Sequence, residues 1–377
     1  MIKFQLKDKE ILSLSKMIVD RIELTTFRNY EHLDVSFSKD TNILLGKNAQ
    51  GKTSILEAIY MLGLTKSHKT SKDNDVIQSS MDFAKIKAQC HLKDKDVHLE
   101  VVVSKSGKKA KYNNIEMERL SEYVGHLNVV MFAPEDMDLI RGNPQNRRKF
   151  LDLEIGQMSK EYMYNLQNYK KVLKQRNDLL KSMQKEQSPN MMLLDIITDQ
   201  LIDYLIQVVA IRKRFIRKIN EFALDSYQQL SNTKHRLKIT YIPSIQDNYK
   251  EEFQRKYQYD IVTGSTSIGA HRDDVEFFLD DFTIKTHGSQ GEMRTAVLAI
   301  KLALVDFIHE FTKSYPVLLL DDVFSELDQE RQKGLFSFIH EKSQTFITTT
   351  ELDEQMQEYT DDVHKYLVLD GTIRRVT

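Results

Sequence analysis

At 377 residues the chain is long enough for about two domains, and its 54 basic and 55 acidic side chains give a formal net charge of −1, so no global basic field drives nucleic-acid binding and any DNA site must be a local patch. A single cysteine, Cys90, excludes an internal disulfide framework and fits a reducing compartment. No apolar run approaches the ~20 residues of a membrane span, and the opening "MIKFQLKDKE" mixes charges without a signal-peptide core, so a cytoplasmic protein with no membrane partner is expected.

The first informative turn is "FRNY", Phe27 to Tyr30, where Arg28 and Asn29 are either nucleotide contacts or part of a surface turn. Then comes "NILLGKNAQGKTSILEAIYML", Asn42 to Leu62. Ile43, Leu44 and Leu45 form a short apolar run that predicts a buried strand. Gly46 and Gly51 let the backbone wrap phosphates, and a helical pattern follows. The spacing is that of the phosphate-binding loop G-x-x-x-x-G-K-[ST], which places Gly46, Lys47, Asn48, Ala49, Gln50, Gly51, Lys52, Thr53 and Ser54 around a nucleoside triphosphate. Lys52 reaches the β- and γ-phosphates and is a catalytic candidate. The Thr53 hydroxyl is a ligand for Mg²⁺.

Three basic runs follow. "KSHKTSK" carries Lys66, Lys69 and Lys72; "KSGKKAK" carries Lys105, Lys108, Lys109 and Lys111; "RGNPQNRRKF" carries Arg141, Arg147, Arg148 and Lys149. Lysine and arginine neutralise phosphates without reading sequence, so each run is either a DNA contact or a solvated face. The turn after the phosphate-loop helix and the Lys105–Lys111 hairpin are the preferred DNA contacts. Arg147 and Arg148 compete as interdomain pairs.

From Tyr162 the apolar positions Tyr162, Leu166, Tyr169, Leu173, Leu180 and Met183 keep a heptad stripe that Arg176 interrupts. Pro189 breaks the pattern, and a second stripe runs through Leu194, Ile197, Leu201, Tyr204, Val208, Ile211, Phe215 and Phe222. The pair predicts an antiparallel helical hairpin whose first arm is roughly 35–40 Å long. In "HRDD", His271 to Asp274 predict a buried ion-pair cluster, with a nuclease metal site as the alternative.

"THGSQGEMRTAVLAIKLALVDFI" begins at Thr286 and sets Ser289, Gln290 and Gly291 before a long amphipathic run. "YPVLLLDDVFSELD", Tyr315 to Asp328, is an apolar strand that ends in two carboxylates. Asp321 is the candidate for the metal shell and Asp322 for orienting or activating the attacking water. This last run resembles the Walker B and D-loop of ABC-type ATPases, and Ser289-Gln290-Gly291-Glu292 resembles their signature. That resemblance implies that Ser289, Gln290 and Gly291 act in trans, on the γ-phosphate held by a second subunit. In "FITTTELD", Thr348, Thr349 and Thr350 stand where ABC ATPases often have a switch histidine, a departure that suggests slow turnover.

Together "FRNY", "GKNAQGKTSILEAIY", "SHKTSKDND", "HLNVVMFAPEDMDLIRGNPQNRRKFLD", "HRDD", "GSQGEMRT" and "LLLDDVFSELD" resemble the RecF family of bacterial recombination proteins over nearly all of Met17 to Thr377. The resemblance implies an α/β fold, an ABC-type ATPase head with mixed sheets and flanking helices, carrying an inserted helical domain with the hairpin. It implies an ATP-dependent homodimer on single-stranded, double-stranded or gapped DNA, with ATP and Mg²⁺ as cofactors. It also implies work with RecR and RecO in loading RecA. Residues 1–16 precede the family pattern and are expected to pack poorly. The expected division is 17–155 for the first part of the head, 156–230 for the helical domain and 231–377 for the rest of the head. Ala270 stands where the family usually has proline, and the stretch from Tyr249 to Thr266 is shorter than usual. Three classes remain: a DNA-repair ATPase, the ATP-binding subunit of a transporter, and a scaffold switched by ATP with little hydrolysis.

Overall fold

A computed structural model describes residues 15–93, 95–185, 190–339, 342–351 and 363–376. Most of the expected N-terminal extension, Pro189, and Leu352 and Asp353 of the threonine-rich stretch lie outside these residues. Ser15 and Lys16 are described, and they lie against the head: the Tyr315 amide donates to Ser15 O at 2.9 Å, and Lys16 pairs with Asp40 at 3.5 Å.

The chain opens with β1 (Ile18–Phe27), β2 (Tyr30–Ser36), β3 (Thr41–Leu45) and α1 (Lys52–Leu64). Strands β4 (Phe83–Leu92), β5 (Lys95–Ser104), β6 (Gly107–Tyr112) and β7 (Ile115–Glu116) follow, then α2 (Leu120–Tyr123) and β8 (Val129–Phe132). Helices α3 (Asp138–Arg141), α4 (Pro144–Gly156), α5 (Lys160–Met183) and α6 (Met191–Ser231) make the helical part. After it come β9 (Leu237–Ile242), α7 (Tyr249–Thr263), β10 (Asp274–Leu279), β11 (Phe282–Thr283), α8 (Ile284–His287) and α9 (Gln290–Thr312). The chain closes with β12 (Val317–Asp321), α10 (Gln329–Ile339), β13 (Thr345–Thr349), β14 (His364–Leu369) and β15 (Thr372–Val376).

Among the described residues the strands form three sheets. An antiparallel sheet has the order β2-β1-β4-β5-β6-β7, and a mixed sheet has the order β15-β14-β3-β13-β12-β8. The third, β11-β10-β9, is smaller. In the mixed sheet β14, β3, β13, β12 and β8 run parallel, and only β15 is antiparallel to its neighbour. Parallel strands are covered on both faces, which is why β12 and β13 are buried at every position. Helix α1 is apolar nearly all round and buried from Ile55 to Leu64, because it touches both six-stranded sheets.

The two heptad stripes become α5 and α6, which pack on each other. Ser159 caps α5, its hydroxyl accepting from the Tyr162 amide at 3.0 Å. At 24 residues α5 is about 36 Å long. Arg176, which breaks the stripe, is nevertheless completely buried, pairing with Asp260 of α7 at 2.9 Å and hydrogen-bonding Thr198 and Thr266. Its guanidinium also lies 5.2 Å from the Phe253 ring centroid. The polar residue in the seam is therefore the anchor for α7, which packs on both α5 and α6.

Candidate nucleotide site

The phosphate loop connects β3 to α1. Gly51 caps the helix at φ 108°, and Gly46 lies at φ 155°. A Cβ on Gly46 would stand 2.3 Å from the Val368 carbonyl oxygen. One on Gly51 would stand 2.6 Å from both Asn29 Nδ2 and the Tyr30 hydroxyl. Glycine is thus required at both ends of the loop by close approach as well as by dihedral angle. Ala49 also takes a left-handed backbone, φ 66°.

The loop is held from outside. Tyr30 donates its hydroxyl hydrogen to Gly51 O at 3.2 Å, Asn29 Nδ2 donates to Gln50 O at 3.3 Å, and the Asp370 amide donates to Gln50 Oε1 at 2.6 Å. Asn29 therefore lies against the loop. Arg28 does not reach it: its guanidinium is committed to Glu57 of α1 at 2.6 and 2.8 Å and to Asp75 O at 2.7 Å. Glu57 is a lone carboxylate on an otherwise apolar helix. That pattern was the available signal that a cation from elsewhere must meet it.

Lys52 turns its ammonium inward, donating to Gly46 O and, at 2.9 Å, to Lys47 O. Burial lowers its pKa from the ordinary lysine value, while the Asp322 and Asp321 carboxylates oppose that shift. The charge therefore sits inside the loop, facing the two Walker B carboxylates.

Walker B arrives from across the sheet. Strand β13 lies between β3 and β12, yet Thr53 Oγ1 reaches Asp321 Oδ1 at 2.8 Å. Asp321 is nearly buried, and the same oxygen accepts from Thr348 Oγ1 at 2.8 Å. Thr348 in turn accepts from the Asp322 amide at 2.9 Å. The threonine noted as replacing a switch histidine thus ties both carboxylate residues together from the intervening strand. Sequence pattern alone had not assigned it that part. Asp322 is exposed at φ 53°, a left-handed conformation that aspartate tolerates better than most residues. Thr53 and Asp321 present a hydroxyl and a carboxylate side by side, an oxygen set suited to Mg²⁺. The glycine-lined loop with its inward ammonium suits a triphosphate.

Ser289 caps α9 in a capping box. The Glu292 amide donates to Ser289 Oγ at 3.2 Å, and the Ser289 amide donates to Glu292 Oε2 at 2.7 Å. Among the described residues no hydrogen bond joins Ser289, Gln290 or Gly291 to residues 46–54.

The basic runs differ from one another. Lys105 pairs with Asp82, Lys108 with Asp73, Lys109 with Glu116 and Lys111 with Glu100, all within 3.0 Å. The ammonium groups of Lys66, Lys69 and Lys72 have no ion-pair partner among the described residues. Arg147 is buried and forks onto Asp274 at 2.6 and 2.9 Å, and Arg148 donates to Asp273 O at 2.7 Å. Of the other "HRDD" residues, Asp273 and His271 face inward, whereas Arg272 is exposed and stands outside the expected buried cluster. Asp273 accepts from Tyr241 and from the Ser244 amide and lies 3.5 Å from buried Arg212, while His271 Nδ1 lies 2.7 Å from the Tyr169 hydroxyl. Ala270 contributes its carbonyl to Arg212 at 2.8 Å. This is an ion-pair cluster joining α4, α6 and β10. No helix among the described residues is long and apolar enough to cross a membrane.

A family model described as "RecF/RecN/SMC N terminal domain" matches residues 18–373. The DNA replication and repair protein RecF of Geobacillus thermodenitrificans (strain NG80-2) is 42% identical over 368 residues, covering 95% of this chain and 99% of that protein. RecF of Bacillus thuringiensis (strain Al Hakam) is 43% identical over 368 residues, covering 95% and 98%. The solved "recombination mediator protein RecF-ATP in RecFOR pathway" superposes with a TM-score of 0.89 at 29% identity, covering 98% of this chain and 100% of that one. An Smc head domain with an extended coiled coil from Pyrococcus furiosus shares the fold at a TM-score of 0.56 and 18% identity, covering 96% of each chain. A glycine-bounded loop closed on a strand-end carboxylate, in a chain of which RecF proteins match 95% at 42–43% identity, leaves one conclusion: the chain belongs to the RecF family.

Proposed function

We propose that the chain is an ATP-binding protein of recombinational DNA repair, a slow ATPase stimulated by DNA, acting as an ATP-dependent homodimer on single-stranded, double-stranded or gapped DNA. The carrying observation is the 2.8 Å contact between Thr53 Oγ1 and Asp321 Oδ1, which joins the two halves of a nucleotide site. The relatives' role in DNA replication and repair, and the solved RecF-ATP of the RecFOR pathway, support the ligand and the pathway.

In this reading the backbone of residues 46–51 cradles the phosphates, and Lys52 leaves its carbonyl partners to place its charge on the transferring group. Thr53 and Asp321 hold Mg²⁺, which supplies charge neutralisation on the phosphates when bound. Asp322, exposed and next to Asp321, orients the attacking water. Ser289, Gln290 and Gly291 serve a partner's nucleotide, consistent with a signature whose hydrogen bonds, among the described residues, stay within the first turns of α9. Lys66, Lys69 and Lys72 are the leading DNA contacts, with the paired Lys105, Lys108, Lys109 and Lys111 behind them. RecR and RecO are the protein partners, and the cytoplasm, at the nucleoid, is the place of action.

The test is ATP hydrolysis by purified protein with and without duplex DNA, using Asp322→Asn as control. Asparagine also tolerates the left-handed backbone at 322, so the variant removes charge with little strain. Stimulation by DNA and its loss in Asp322→Asn are expected. Hydrolysis by Asp322→Asn at the wild-type rate would remove Asp322 from the chemistry.

A further inference from the structure

A cavity of about 600 Å³ lies away from the nucleotide loop, where the end of α1, the β6 edge and α2 meet α4 and α5. Its volume is in the range of pockets that enclose a small ligand, roughly 300–1,000 Å³. Its floor is apolar and aromatic, with Leu120, Val124, Met163, Leu166 and Tyr169. Its lining also carries six cations, Lys66, Lys108, Arg148, Lys149, Lys170 and the buried Arg212.

The charges around it do not balance. Arg212 and Lys170 share Asp152, at 2.8 and 3.0 Å, and Lys108 pairs with Asp73 outside the cavity. Among the described residues that leaves Lys66, Arg148 and Lys149 of the six without an ion pair; Arg148 donates to the Asp273 carbonyl and feels the Asp274 and Asp273 carboxylates more distantly. Lys66 is an exposed residue whose ammonium is disfavoured by partial desolvation first and then by Lys170, with Asp152 opposing and Lys108 and Lys149 adding to the repulsion. His271, on the same wall, is held below the ordinary histidine pKa chiefly by burial, which favours its neutral form and adds no further positive charge. An anion that enters relieves repulsion the fold otherwise carries.

We propose that this cavity is a binding site for a single nucleotide unit, its phosphate on the Lys66–Arg148–Lys149 rim and its base on the apolar floor. A cationic rim over an apolar, aromatic floor matches the two halves of a nucleotide, since unstacked bases bind side chains through their faces and edges. A duplex is too wide to enter a space of this volume, and a flat basic patch would serve its backbone better. The unit is either a free nucleoside monophosphate or an unpaired nucleotide of a DNA strand. The second source rests on the DNA-binding reading above, and the first does not.

The experiment measures two probes on the full chain. One is 2′-deoxyadenosine 5′-monophosphate by calorimetry. The other is a duplex ending in an unpaired, 5′-phosphorylated 2-aminopurine, followed by fluorescence and compared with the same duplex made blunt. Leu120→Trp fills the floor and leaves every rim charge, and Lys149→Ala removes rim charge at an exposed position where folding is not at stake. Thermal unfolding checks both variants. At least one probe should bind wild type and weaken by about tenfold or more in each variant, with blunt-duplex affinity unchanged in Leu120→Trp. Binding of the monophosphate alone identifies the free source, and binding of the unpaired end alone identifies the strand. If no DNA of any form binds, the DNA reading fails and the monophosphate decides the inference by itself. Neither probe bound, or both bound with wild-type affinity by Lys149→Ala and by a folded Leu120→Trp, would overturn it.

Discussion

Thr348 donates its hydroxyl hydrogen to Asp321 at 2.8 Å and, through the same oxygen, accepts the Asp322 amide at 2.9 Å. One side chain from the strand between the two nucleotide motifs therefore fixes the orientation of the Asp321 carboxylate, proposed above as a metal ligand, and the backbone of its neighbour. Thr348→Val keeps the shape and deletes the hydroxyl. A hydrogen bond to a charged group contributes about 1.5–3 kcal/mol, so turnover should fall roughly 10- to 100-fold while ATP affinity stays within a few-fold. Thr348→Ser should recover most of the rate. A wild-type rate in Thr348→Val would make the contact incidental.

The inward ammonium of Lys52 leads to a stronger outcome. Lys52→Ala should weaken ATP binding and abolish hydrolysis, because a positive charge on the transferring phosphoryl is lost. Ser289→Arg should keep ATP binding but lose dimerisation and hydrolysis. Mixing the two inactive variants puts both defects in one composite site and neither in the other, so partial recovery of turnover is expected if one site works alone. Sedimentation with ATP is the independent check. A Ser289→Arg protein that dimerises fully and hydrolyses normally would leave α9 as an ordinary capped helix.

Arg176 and Asp260 are both fully buried, 2.9 Å apart. Removing one partner of such a pair strands the other charge, at about 3–5 kcal/mol. Arg176→Ala should therefore lower the urea midpoint strongly. The double variant Arg176→Met with Asp260→Leu should recover much of that loss, because it removes both desolvated charges together.

Glu154 is buried, and desolvation is the main reason its pKa is raised to about 7, with Asp136 adding to the rise and Lys301 and Gln157 opposing it. A carboxyl with a raised folded pKa holds its proton longer in the native state than in the unfolded chain. Its contribution to stability is fully present below its unfolded value, near 4.5, and is lost as pH rises through about 7. His68, which lines one cavity together with Glu154, has the opposite sign: burial lowers its pKa to about 4, so its effect favours folding as pH rises from 4 to 6.5. The comparison of wild type with Glu154→Gln isolates the first term. The melting temperature of the variant should fall less between pH 5 and 7.5, and parallel curves would exclude a shifted Glu154.

DNA affinity should fall steeply with salt. Lys69→Ala and Lys72→Ala should each weaken random-sequence duplex uniformly and reduce the salt slope by about one. Lys109→Ala and Lys111→Ala should do less, since those ammonium groups already face Glu116 and Glu100. Titrations at several salt concentrations decide between the two sets.

The nucleotide motifs were legible because backbone demands leave a residue signature. A Cβ on Gly46 would stand 2.3 Å from the Val368 carbonyl oxygen of β14, so the loop can use only glycine there. The α5 and α6 stripes were legible through periodicity. What stayed hidden were partners supplied by tertiary packing. Arg176 reads as an interruption until Asp260, 84 residues away, is beside it. A run of lysines reads the same whether paired or free, and only the strand register, which sets Lys111 opposite Glu100, separates the hairpin from the Lys66–Lys72 turn. Thr348 was visible as a departure, but its grip on Asp321 depends on β13 lying between β3 and β12.

The Thr53–Asp321 contact spans 268 positions of the chain. At a synthesis rate of about 5–20 residues per second, that separation corresponds to roughly 13–54 s of translation. The loop residues thus leave the ribosome long before the carboxylate that Thr53 meets has been made. A nascent chain halted before Val317 has the glycines, Lys52 and Thr53, and none of β12 or β13 to hold Thr53 against an acid. The Thr53–Asp321 contact can form only once β12 has been made.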